Sequence, residues 1–156
     1  MLQAEREPIF NVPGSVIALI AIFIAVHVIR QLLPVQQDDW FTVAMAFVPA
    51  RYDGYANQLP GGEIASVTSF LTHMLVHGDL THLMFNSAWF LAFGGAIALR
   101  VGTVRFLAFT AFTGIVGALT FLSFHFGEAV PVVGASGCLL YTSPSPRDLG
   151  SNLVCR

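Results

Sequence analysis

The chain has 156 residues, enough for one domain and too few for two ordinary ones. Its hydrophobic fraction is 55%, its charged fraction only 10%, and its mean hydropathy +0.72. A soluble domain carries about 25% charged residues to solvate its surface, so a water-soluble globule is excluded. A nucleic-acid binder is excluded as well, because it needs clustered basic side chains; here lysine is absent, the seven arginines are scattered and the net charge is -2.

Taken from the amino terminus, Met1 to Phe10 is polar and lacks the basic, apolar and small-residue order of a removable signal peptide. The first apolar stretch, 12–33, is long enough to cross a bilayer, which takes about 20 residues. The loop 34–79 mixes Asp38, Asp39, Arg51, Asp53 and Glu63 with Trp40, Phe41, Met45 and Phe47. Rings and charges mixed in this way predict a partly helical segment at the membrane–water interface. Further crossing helices are expected at 80–99 and 106–126, joined by a very short turn around Gly102 and therefore antiparallel. A fourth apolar stretch begins at Val130 and breaks off near Leu140. The expected fold is all-α: a polytopic transmembrane bundle of three helices and the start of a fourth. Arg6, Arg100 and Arg105 put one side in the cytoplasm, while Arg30 and Arg51 argue the other way.

Two groups of residues can carry chemistry. The second crossing helix holds His82 and Asn86, four apart and on one face, preceded by Asp79, His77 and His73. Ionisable and amide groups inside a span face protein or a wet cavity and mark function by default, although histidine and asparagine also serve as interhelical hydrogen-bond glue. The second group is Gly134-Ala135-Ser136-Gly137. Small neighbours leave a substrate carbonyl room to reach a serine, and free backbone N–H groups at a helix start can hold an oxyanion. By itself such a stretch is also an ordinary packing patch or loop.

The spacing His77-x4-His82-x3-Asn86 on the second helix, Gly94-Gly95 further along it, GASG opening a fourth helix and the long first loop together resemble the rhomboid intramembrane serine proteases. The resemblance covers about residues 12–137. It implies peptide-bond hydrolysis within the bilayer by a Ser–His dyad, without cofactor or metal. Ser136 matches the nucleophile, and His82 and Asn86 match the side chains that stabilise the oxyanion. His77 and His73 match positions lining the water-accessible cavity, whereas His27 and His125 match no functional position. The implied partners are transmembrane protein substrates and the lipid bilayer, and the implied location is multi-pass in a bacterial inner (plasma) membrane. The family's general base is a histidine on its sixth helix, which this chain lacks, so the polypeptide as written is expected to be inactive.

Cys138 to Asp148 can be back-translated into a sequence resembling a transposase adapter of short-read DNA libraries, and Asn152 to Arg156 into its flow-cell end. The expected organisation is therefore a partial rhomboid-like membrane domain over 1–137 and a non-native, adapter-derived tail over 138–156. Both cysteines, Cys138 and Cys155, fall in that tail. Two other readings compete. One is a non-catalytic rhomboid-like protein that binds transmembrane clients, which would have no need of the serine in GASG. The other is a metal binder using His73, His77 and His82; it lacks a neighbouring HExxH glutamate or a thiolate.

Overall fold

The computed structural model describes residues 12–135. Among these residues the fold is helical, without strands, and three helices are long and apolar enough to cross a membrane. The first, α1, runs Gly14–Gln31, with Pro13 preceding it where a missing N–H costs nothing. Its buried positions are Val16, Phe23, His27 and Arg30. The last three lie at i, i+4 and i+7, one helical stripe. Ile17, Ile22, Ile24, Val28 and Ile29 are exposed around the rest of the helix. A helix that is apolar beyond its packed face belongs in lipid.

The second crossing helix is continuous from Leu80 to Val101. It comprises α4 (Leu80–Trp89), a π-helical turn over Phe90–Gly94, and α5 (Gly95–Val101). Asp79 caps it, with its carboxylate accepting the His82 backbone N–H at 2.7 Å. Gly94 explains half of the Gly-Gly pair: a side chain there would meet the Phe106 ring of the next helix at 3.3 Å. That contact belongs to a buried cluster of Val16, Ala98 and Phe106, which ties the three spans together. The turn between the second and third spans is tighter than expected. Helix persists to Val101, Gly102 turns the chain at φ +82°, and α6 starts at once and runs Thr103–Phe124. The third span thus begins three residues before the expected 106, because one left-handed glycine suffices to reverse the chain.

The first loop is a built unit. It contains α2 (Val35–Met45), α3 (Gly62–Thr72) and short 3-10 turns at Pro49–Tyr52, Ala56–Gln58 and His73–Leu75. Arg51 organises it from within: its guanidinium donates to the backbone oxygens of Val43 and Pro60, each at 2.7 Å, and of Gly62 at 3.4 Å. Tyr52 Oη donates to the Ser66 carbonyl at 2.6 Å, and Thr72 Oγ1 to that of Met45 at 2.9 Å. Arg30 is likewise engaged, gripping Asp38 of α2 through Nε at 2.6 Å and Nη2 at 3.1 Å. Both arginines that opposed the charge-based orientation are therefore buried parts of the fold.

The chain after α6 returns along this loop. Phe47 and Val132 form an isolated antiparallel bridge, with N–H···O distances of 3.0 and 2.8 Å in the two directions. Ala50 N–H also bonds the Glu128 carbonyl at 2.9 Å. Beneath them Phe47, Ala118, Phe121 and Val132 make a buried cluster. This packing directs the segment toward His73 and the mouth of the second span.

Candidate active site

Local sequence places the histidines. His73 starts the 3-10 turn that ends α3, and its Nδ1–H donates to the Ser69 carbonyl at 2.7 Å. His77 lies in the extended link before the Asp79 cap, and His82 and Asn86 follow one turn apart on α4. The Asn86 amide donates to the His82 carbonyl at 3.0 Å. An amide nitrogen carries two hydrogens, so one donor remains for another acceptor.

His77 is 1% exposed. Its ring lies between Phe23 of α1, at 5.1 Å between centroids, and His82, at 5.3 Å and nearly edge-on. Removal from solvent, with His82 beside it, pushes its pKa down to about 4. At neutral pH His77 is therefore an uncharged ring. Burial also holds His73 below the ordinary histidine value, opposed by its hydrogen bond to Ser69. His27 is on the buried face of α1. His125 ends α6, stacked on Phe121 at 4.0 Å with Nδ1–H directed to the Phe121 carbonyl at 3.1 Å. His27 is thus buried and His125 half-buried.

The two sequence motifs meet at Gly134. Its N–H donates to the His73 carbonyl at 2.8 Å. Its φ is +96°, and a Cβ there would lie 2.5 Å from His82 Cε1 and Nε2 and 3.4 Å from Asn86 Nδ2. Only a glycine lets this backbone press against the His82 ring. Ser136, the expected nucleophile, lies outside the described residues, as does the tail 138–156.

A cavity of about 510 Å³ opens between the second and third spans beside this junction. Trp89, Phe90 and Phe106 line its apolar wall, and Asn86 and Ala135 contribute from the two motifs. His73 and His77 do not line it; they are packed behind, against the first loop and α1. The arrangement supplies two neighbouring polar donors, His82 and Asn86, at the edge of an apolar enclosure where hydrogen bonds to developing charge are strong. Sequence reasoning overlooked Arg30, whose Nη1 donates to the His77 carbonyl at 2.7 Å. An arginine inside an apolar stretch with Asp38 eight residues on was the available signal.

Helical spans around a polar histidine–asparagine face define an integral membrane protein with an internal polar site. Residues 65–140 match the Rhomboid domain family. The chain is also 40% identical over 43 residues to the "Rhomboid protease GlpG" of Haemophilus influenzae, a stretch covering 28% of this chain and 22% of that protein. These findings support a rhomboid family member.

Proposed function

We propose that this chain belongs to an intramembrane serine endopeptidase that cleaves transmembrane segments of membrane proteins. The observation that carries the reading is the contact of Gly134 with His82 and Asn86. It joins the glycine–serine motif to the two side chains able to donate hydrogen bonds. In the proposed mechanism Ser136 Oγ attacks the scissile carbonyl. The His82 ring N–H and the free hydrogen of the Asn86 amide then stabilise the tetrahedral oxyanion. His77 and His73 take supporting places: neutral and buried, they hold the His82 ring and the Gly134 backbone. No cofactor, metal or nucleic acid enters, and the substrates are transmembrane proteins reached within the bilayer. The location fitting this reading is the bacterial inner membrane.

A serine hydroxyl is a weak nucleophile until a base takes its proton. The family resemblance assigns that base to a histidine beyond the motifs carried here, and none of this chain's five histidines fills the role. We therefore assign activity to the protein read from its uninterrupted gene and inactivity to the 156-residue chain by itself. The tail 138–156 is assigned to adapter sequence, which long reads of the same locus would replace with other codons. The test is cleavage of a transmembrane substrate by the full-length protein in liposomes. Ser136→Ala should abolish it, whereas His82→Ala and Asn86→Ala should each lower turnover by about 10²-fold, the typical loss for one oxyanion donor. Normal cleavage by Ser136→Ala would refute the nucleophile.

A further inference from the structure

The Arg30 guanidinium is 6% exposed and has two kinds of partner. Nε and Nη2 grip the two carboxylate oxygens of Asp38 at 2.6 and 3.1 Å, and Nη1 donates to the His77 main-chain oxygen at 2.7 Å. A bidentate carboxylate fixes the plane of a guanidinium, so the third bond is aimed. Thr42 Oγ1 also reaches Asp38, at 3.4 Å, which braces the carboxylate from the next turn of α2.

What is held at the far end is the link into the second span. Two residues after His77, Asp79 caps α4 by accepting the His82 N–H at 2.7 Å. The His77 ring meanwhile touches Phe23, seven residues before Arg30 on the same face of α1, and stands 5.3 Å from the His82 ring. Helix α1 therefore holds His77 twice, by its ring and by its carbonyl. His77 in turn packs against one side of His82 while Gly134 presses on the ring. A change in the carbonyl anchor reaches His82 both through the capping turn and through the ring contact.

We propose that Arg30 is a positioning residue for His82, acting through the His77 turn. This rests on the protease reading only where it concerns turnover; the geometric claim stands on its own. Arg30 touches no reacting atom, and its effect is on where the His82 ring lies.

The test uses the 156-residue chain and the full-length protein, both in lipid nanodiscs with ¹⁵N-labelled histidine. Arg30→Gln should shift or broaden the imidazole signals of His77 and His82. Val16→Ala serves as the comparison: it loosens α1 at the opposite end, about 20 Å away along the helix, and should lower thermal stability while leaving those signals in place. Arg30→Lys, which keeps the charge and one donor, should restore them in part, and it replaces the glutamine variant if that one fails to fold. In the full-length protein Arg30→Gln should lower kcat about 10- to 100-fold, the range for a misplaced catalytic group, with KM little changed. Unmoved His82 signals in a folded Arg30 variant, or equal movement in Val16→Ala, would overturn the proposal. Moved signals in Arg30→Gln, together with a wild-type full-length protein that cleaves nothing, would uphold the positioning role and reject the protease reading.

Discussion

Replacing Gly134 by alanine tests the junction on which the candidate site depends. Two separate costs arise there. The backbone has φ +96°, and holding a non-glycine residue in such a region costs about 1–3 kcal/mol. The new methyl would also lie 2.5 Å from two atoms of the His82 ring. To regain an ordinary contact of about 3.5 Å, the ring has to retreat by about 1 Å. Inserting a methyl into a packed site typically costs about 1–3 kcal/mol, so the total falls at about 2–6 kcal/mol. Gly102 separates the two parts, because its φ of +82° carries the backbone strain with nothing within 4 Å of an added Cβ. The assay is thermal unfolding in detergent of the wild type, Gly102→Ala, Gly134→Ala, His82→Ala and the double variant Gly134→Ala/His82→Ala. Gly134→Ala should be the more damaging glycine variant, and truncating the His82 ring should recover the excess, since the clashing atoms are gone. Coupling of this kind is what a double-mutant cycle isolates. Equal losses at the two glycines, or no recovery with His82→Ala, would refute the contact and with it the joining of the two motifs.

Stability should fall as the medium is acidified. His77 has its pKa lowered from 6.5 to about 4 on folding, so between these values the unfolded chain takes up a proton that the folded one refuses. The contribution is complete above about pH 7, declines from pH 6.5 toward 4 and is flat below, with a span of up to about 3 kcal/mol; His77→Phe should flatten a plot of melting temperature against pH. Arg51→Ala should strip three carbonyls of their shared donor and cost about 3 kcal/mol, read as faster proteolysis between Asp53 and Gly61. Alkaline carbonate extraction should leave the protein in the membrane pellet, because three apolar spans have no soluble solution; release into the supernatant would contradict the fold. A fluorophosphonate probe should label the full-length protein at Ser136 and leave the 156-residue chain unmarked, and labelling of that chain would mean that one of its own histidines activates the serine.

Membrane crossing was legible in the sequence by itself because it is a property of segments. A bilayer core imposes a length and an apolar character on each helix separately, so the stretches expected at 12–33, 80–99 and 106–126 correspond to Gly14–Gln31, Leu80–Val101 and Thr103–Phe124. The pairing of His82 with Asn86 was legible for a similar reason, since helical period alone puts them on one face. The role of His77, Arg30, Arg51 and Gly134 was not, because each depends on partners brought from elsewhere in the chain. Arg30 and Arg51 read as charges that bias orientation, and only the fold reveals their carboxylate and carbonyl acceptors. His77 read as a cavity residue, yet its neighbours are Phe23 from 54 residues earlier and the ring of His82. Gly134 read as space around a serine. The tertiary structure decides that this space is the face of the His82 ring, because the Phe47–Val132 bridge and the Gly134–His73 bond draw two segments that are distant in sequence into contact. Local pattern carries no information on such pairings, which are settled by which buried surfaces and hydrogen-bonding groups can be satisfied together.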